Sequence, residues 1–374
     1  MLNDSFILVF IGSGKLKLRK GRLLPLVPRG VSCSPVTLGA NGRCSLAGDP
    51  RADENIALHA MHTIWVREHN HIASQLAKRH KKWGENRLYQ EARKIVIAEW
   101  QQIVFNEWLP KIVKLPKYRK YNNKLDPRII NAFSGAAFRF GHSLVPNKFS
   151  QLNKNYDRKH KPITLRNSFF NIRSINGRGI EPTIFGMVGN QSKSVDTKFS
   201  FNLARRLFVR PGDNDHMDLT AFNIQRGRDH GLPTYGKWRK FCKLPNVKNF
   251  PQLKRFIPGN VVDKLSEIYK NPGQIDLFAA GISEKHARNS IIGPTFRCII
   301  KEQFLRLRDG DRFYFENPGV FNRAQRNQIK KVSLARILCN NVKGIVSVNS
   351  NALLQTRNKR TICSKIKKVN FNVF

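Results

Sequence analysis

The sequence predicts a mainly α-helical chain, and three features carry that prediction. Apolar residues recur at helical spacing through several long stretches. The strict alternation of apolar and polar residues that marks half-buried strands is scarce. A run from Ile129 to Val145 is apolar over a length that suits a buried helix. A length of 374 residues taken alone suggests about two or three domains, yet no internal repeat and no linker divides the chain.

The elements follow in order. Residues 1–13 fit no pattern and are unassigned, and Phe6–Ile11 has no basic residue before it, so it reads as a buried segment or as non-native sequence, a poor signal peptide and a poor anchor. From Gly14 to Ala47 the chain is rich in Gly, Pro and basic residues, which predicts an irregular connector. Asp49 to Arg79 opens with turn chemistry and continues as a helix, with Ile56, Met61, Ile64, Trp65, Ile72 and Leu76 on one stripe. A second long helix is expected from Asn86 to Val113, bent or ended by Pro110. The Ile129–Val145 helix comes next. Residues 146–200 are polar and basic, broken by Phe169-Phe170 and Glu181-Pro182, and read as loops with short helices. Helices are expected over Phe199–Phe208 and over Leu219–Arg226, the latter stopped by Gly231-Leu232-Pro233. Shorter ones are expected at 261–269, 296–307 and 323–341. Nothing reaches the roughly 18 apolar residues that a membrane span needs.

The charge is unusual: 67 basic residues stand against 25 acidic ones, a net of +42. Such a surface suits a polyanion such as a matrix glycosaminoglycan, or is simply a solvated basic face, which is the preferred reading. The densest runs are Lys15–Arg22, Lys111–Lys124, Lys154–Arg166 and Arg357–Lys368. They lack the interleaved aromatics of a single-strand groove, and no nucleic-acid module is visible, so nucleic acid is not an expected partner. The six cysteines, Cys33, Cys44, Cys242, Cys298, Cys339 and Cys363, include no Cys-x-x-Cys pair, which leaves zinc and thioredoxin chemistry without support. Sequence alone does not choose their pairing. An even count fits an oxidising compartment, and Asn190-Gln191-Ser192 is a glycosylation triplet.

Candidate chemistry begins at Arg139 and His142. On a helix, residues three apart share a face. A neutral imidazole is a good iron ligand and a guanidinium matches a carboxylate fork, and haem offers both partners, iron and propionates. The competing account is a core histidine beside a snorkelling arginine. His59, His62 and His69 also fall near one face, but without the glutamate of a His-Glu-x-x-His pattern they read as packing histidines.

Longer blocks add to this. Gly48-Asp49-Pro50-Arg51-Ala52-Asp53-Glu54, Met61 to Asn70, Gly84 to Val96, Asp218 to Tyr235 and Arg308 to Gly319 resemble the animal haem peroxidases, its peroxidasin-type domains in particular. The likeness runs in the family's order from about Gly14 to Phe374. It implies a helical haem peroxidase domain that is incomplete at its N-terminus and occupies residues 14–374. The implied activity is secreted and uses hydrogen peroxide to oxidise halides or phenolic and matrix groups, in response to oxidative stress. It further implies haem b with His142 as proximal iron ligand, Asn223 as hydrogen-bond acceptor from that imidazole, and Arg139 and Arg226 at propionate or proximal contacts. Arg51 matches the distal arginine and Glu54 a carboxylate that in many members is esterified to a haem methyl. Asn55 stands where other members have a sulfonium-forming methionine, so that link is not expected. The same resemblance pairs Cys33 with Cys44, Cys242 with Cys298 and Cys339 with Cys363. The family's distal glutamine and histidine, a second ester-forming aspartate and a calcium loop are not recognisable. The distal histidine is the base that moves the peroxide proton, so the chain alone is expected to be a poor peroxidase. A non-catalytic extracellular binding protein is the alternative.

Overall fold

The computed structural model describes residues 12–28, 43–209, 217–354 and 359–374. Phe6–Ile11, Arg357, and Cys33 with its expected bond to Cys44 lie outside them. Helices dominate, as the sequence predicts. Among the described residues no helix is long and apolar enough to cross a membrane. The chain forms two compact units, each gathered from separate stretches.

One unit comprises Met1–Glu107, Lys148–Gln191 and Phe321–Phe374. Its first helix, α1 (Ile56–Arg79), starts at Ile56 rather than at Asp49. Asn55 is extended and its side chain accepts the N–H groups of Ala57 and Leu58, which fixes the helix start there. Ile56, Ala60, Ile64, Ile72 and Leu76 are fully buried along one stripe, while Trp65 meets Trp100 of α2 (Glu85–Ile103) edge to face at 4.9 Å. The single helix expected over Asn86–Val113 is not formed. The α pattern ends at Ile103, widens into a π-turn over Val104–Trp108 and tightens to 3₁₀ over Leu109–Lys111. Pro110 has no N–H and its ring would strike the carbonyl four residues back, so an α-helix does not run through it.

Residues 146–200 hold the short helices expected of them and, in addition, a hairpin. Strand β1 (Lys148–Leu152) pairs antiparallel with β2 (Arg158–Thr164), and the Asn153 side chain closes the turn by accepting from Asn155 N at 2.8 Å and Asp157 N at 3.0 Å. Helix Glu181–Gly189 lies so close to β1 that a Cβ at Gly186 would collide with the Ser150 carbonyl. The helix expected over 323–341 is two, Arg323–Ile329 and Leu334–Asn341. Asn322 opens the first with a reciprocal cap and Ser333 opens the second. A short ladder of β3 (Ser347–Val348) with β4 (Thr361–Ile362) adjoins the Cys339–Cys363 disulfide.

This unit has a charged core. Arg67, 1% exposed, donates to Glu181 Oε1 and to the Asn341 carbonyl, each at 2.9 Å. Behind it Glu68 accepts from Asn341, and Glu99 is wholly buried with Oε2 unbonded. Burial raises both carboxyls, Glu68 to about 7.

The other unit comprises Trp108–Asn147 and Ser192–Val320. The helix expected over Ile129–Val145 is broken. Asn131–Gly135 is α, Ala136 departs from helical angles (φ −142°, ψ −67°), and Ala137–Leu144 is 3₁₀. Gly135 and Gly141 weaken an α-helix here, and Gly135 backs onto Leu232, where a Cβ would stand 3.1 Å from Cδ1. Leu219–Asp229 is longer than expected, and the Phe199–Phe208 helix shrinks to Phe201–Ala204. Helices Gly259–Ile268 and Pro294–Asp309 match their expected places, whereas Tyr235–Phe241 and Leu277–Ser283 carry too few turns to show a period. The Cys242–Cys298 disulfide anchors the end of Tyr235–Phe241 to Pro294–Asp309. Nearby, Arg239 and Glu284 form a buried pair at 3.1 Å, and Tyr235 donates to the same carboxylate at 2.7 Å.

The raised carboxyls make stability depend on pH. The folded chain keeps protons on Glu68 and Glu99 that the unfolded chain releases near the ordinary value of 4.5, so stability falls as pH rises from there towards about 7. Glu68→Gln is expected to shrink the difference between denaturant midpoints measured at about pH 5 and about pH 8. An unchanged difference would show that Glu68 titrates normally.

Candidate functional site

In the second unit the structure brings His142, Arg139 and Asn223 together. A 3₁₀ turn has three residues, so Arg139 and His142 eclipse one another on one edge of Ala137–Leu144. Ser143 anchors that segment, its hydroxyl donating to the Asp196 carbonyl at 2.7 Å and accepting the Asp196 N–H at 2.9 Å. Phe133 stacks on Phe138 of the same segment at 4.5 Å. Asn223 comes from helix Leu219–Asp229, whose start is capped by Asp218. His230, at its end, is clasped by Asn131, which bonds both the His230 ring (2.8 Å) and its carbonyl (3.2 Å).

Arg139 donates to the Ser134 carbonyl at 2.9 Å and to Asn223 Oδ1 at 3.1 Å. Burial first, then the charge of Arg139, lowers the His142 pKa to about 4, while the nearby Asn223 amide raises it. The imidazole is therefore neutral at physiological pH. His142 Nδ1 and Asn223 Nδ2 are both buried and neither makes an aligned hydrogen bond. Arg226 acts on Arg139 as a second positive charge, helping burial to lower the Arg139 pKa. Among the described residues neither arginine is paired with a carboxylate. A neutral imidazole with unused lone-pair capacity and two guanidiniums without acidic partners fit a haem: iron at the imidazole, propionates at the arginines.

In the first unit Arg51 and Glu54 stand on the turn before α1. Arg51 is 73% exposed and grips Asp49 as a fork, Nε to Oδ1 at 3.0 Å and Nη2 to Oδ2 at 2.8 Å. That bond holds Asp49 down at about 2. Glu54 is partly buried, and burial raises its pKa. The turn is fixed from below by Asp53 and Ser45, which sequence reasoning did not single out, and by His59, which it read as a packing histidine. Asp53 Oδ1 lies 2.8 Å from His59 Nδ1, and Asp53 Oδ2 accepts the Ser45 N–H at 2.6 Å, all of it buried. Burial would raise the Asp53 pKa, but His59 and Ser45 outweigh it and the net shift is downward. His69 is held by the Gly14 carbonyl at 2.9 Å. Among the described residues no three His, Cys, Asp or Glu side chains converge as a metal site.

A sequence profile described as Animal haem peroxidase matches residues 8–353. Human peroxidasin homolog is 43% identical over 321 residues, which cover 82% of this chain and 22% of that protein. Lactoperoxidase of Mesocricetus auratus is 38% identical over 362 residues, covering 93% and 51%. The solved structure of peroxidase A from Dictyostelium discoideum matches with a TM-score of 0.85 at 31% identity, over 92% of this chain and 67% of that one. The chain thus spans under a quarter of the peroxidasin relative and about half of the lactoperoxidase.

Removing the acceptor that fixes the Arg51 turn tests the first-unit geometry. Asp53→Ala strands the buried Ser45 N–H and the His59 ring, and is expected to cost about 3 kcal/mol in denaturant unfolding. A loss below about 0.5 kcal/mol would mean that water replaces the carboxylate without penalty.

Proposed function

The chain belongs to the animal haem peroxidase family, and on that premise we propose that it binds haem b and uses hydrogen peroxide to oxidise a small reducing substrate, a halide or a phenolic or matrix group, outside the cell. The observation that carries the proposal is the uncharged His142 imidazole with Asn223 and two unpaired arginines beside it. The Cys242–Cys298 and Cys339–Cys363 bonds support the extracellular assignment. A role in oxidative stress follows from consuming peroxide.

Haem supplies the redox-active iron at which peroxide is reduced. His142 is assigned to hold that iron, and its low proton affinity leaves the ring nitrogen free to do so. Asn223 orients the ring from its other nitrogen, and a neutral amide there pushes less charge onto the imidazole than a carboxylate would. Its Oδ1 already accepts from Arg139 and has a second lone pair for the ring N–H. Arg139 and Arg226 are assigned to the propionates. Arg51 is assigned to the peroxide side, where its fixed charge stabilises the negative charge that develops on the leaving oxygen. Glu54 is the carboxylate assigned to hold the porphyrin edge, as an ester in the form many relatives adopt. Moving the peroxide proton needs a base, and Arg51, which stays protonated, does not serve.

The +42 charge favours a second reading: a non-catalytic extracellular binding protein, derived from a peroxidase domain, that adheres through its basic surface. Reconstitution with haemin separates the two. The peroxidase reading expects a Soret band that His142→Ala abolishes, and phenol or iodide oxidation that Arg51→Ala slows about 10²–10³-fold. A band that survives His142→Ala would show that iron is held elsewhere. A haem-loaded chain silent towards peroxide would favour the adhesive reading.

A further inference from the structure

The β1–β2 hairpin carries an excess of charge that the proposed chemistry does not use. Between Lys148 and Arg178 stand eight lysines and arginines against one acidic residue, Asp157. Among the described residues none of these eight belongs to an ion pair. We propose that the hairpin is a docking surface for a sulfated polysaccharide, with Arg158, Lys159 and Lys161 on β2 as its centre and Arg178 and Arg360 at its borders.

The placement supports this. Side chains alternate along a strand, so residues two apart share a face about 6.6 Å apart. His160 is paired with Gln151, whose side is buried, and this puts Lys159 and Lys161 together on the opposite, exposed face. Arg158, at the start of the strand, is also exposed. Arg178 comes from a separate helix, Arg173–Arg178, and its charge is felt at His160: after burial, Arg178 and then Lys159 lower the proton affinity of that ring. Arg360 comes from a third stretch, donating to the Asn155 carbonyl at 3.4 Å in the hairpin turn. Cations from three places in the chain therefore converge on one short sheet. Like charges held at strand spacing repel, and a multivalent anion that releases their counterions relieves the repulsion.

The basic run at Lys111–Lys124 differs. Its Tyr118 lies within the influence of Asp309, Glu316 and Asp311, so that surface carries its own compensation. Among the described residues, no acidic group is among those acting on His160 or Tyr156 of the hairpin. Nucleic acid fits less well, because binding single strands relies on open aromatic faces. The tyrosine of the hairpin turn, Tyr156, has Arg360 over its ring at 4.0 Å and gives its hydroxyl to the Ser347 carbonyl at 2.8 Å. The choice of a sulfated glycan also rests on the extracellular reading above.

Heparin is the probe, with single-stranded DNA as comparator, in direct binding measurements over a range of salt. The whole chain is expected to bind heparin with a steep salt dependence, more tightly than DNA. The triple variant R158E/K159E/K161E should lose about tenfold or more in affinity and show a shallower salt slope. A control, K117E/R119E/K120E, should lose much less. Equal losses in the two variants would show a bulk charge effect and overturn the proposal, as would DNA binding of equal strength with the same dependence on the hairpin. Should the triple variant melt markedly earlier, the milder K159Q/K161Q takes its place, with a smaller loss expected and no loss counting against the proposal. The assay needs neither haem nor peroxide, so its failure is distinct from failure of the peroxidase reading.

Discussion

Partial burial of the His142 ring, with its Nδ1 enclosed, is the constraint from which the candidate site follows. An imidazole in water is half protonated near neutrality, and a protonated ring has no lone pair to give. Here burial and the Arg139 charge act in the same direction and bring the pKa to about 4, with only Asn223 opposing them. The sequence achieves this with small means. A 3₁₀ segment eclipses Arg139 with His142, Ser143 ties the segment to Asp196, and Asn131 clasps the end of the helix that presents Asn223. None of these contacts is an ion pair. A carboxylate in place of the Asn223 amide would raise the ring's basicity and pair with Arg139, using up a cation the proposed cofactor needs.

The first unit fixes its candidate side chain by opposite means. Its turn is held by charge: Asp49 forks Arg51 at the surface, and Asp53 holds His59 and Ser45 beneath it. The exposed pair adds little stability, since two solvated charges gain little from meeting. Its effect is to orient Arg51. The buried one is costly to break because its partners have no water to turn to. In the same unit, Glu68 and Glu99 show what happens to carboxyls buried without a cation as close: their protons are retained instead.

Much of the fold was legible, and the misses share physical causes. Apolar spacing found α1 and the helices Gly259–Ile268 and Pro294–Asp309. It failed to tell α from 3₁₀ at Ala137–Leu144, because both geometries bring residues three apart onto one edge, and Gly135, next to the break at Ala136, packs against Leu232 from a distant stretch. Strand β2 escaped because Arg158-Lys-His-Lys161 has no apolar alternation. Arg139 and His142 were visible as a local pair, but Asn223 is 84 residues from Arg139, and only likeness to a family linked them before the structure did. Asp53 and His59 stand six apart across the start of α1, a spacing that no helical face predicts. Asp49 was the recoverable one, two residues from Arg51 in a turn that favours such a fork.

The most direct measurement is the iron–imidazole stretching band in the resonance Raman spectrum of the reduced, haem-loaded chain, compared with that of Asn223→Asp. With His142 on the iron and Asn223 at its other nitrogen, the band is present. A carboxylate at 223 draws the ring towards imidazolate and moves the band to higher frequency. No iron–imidazole band, or a band that stays in place when Asn223 becomes Asp, would contradict the assignment of these two residues.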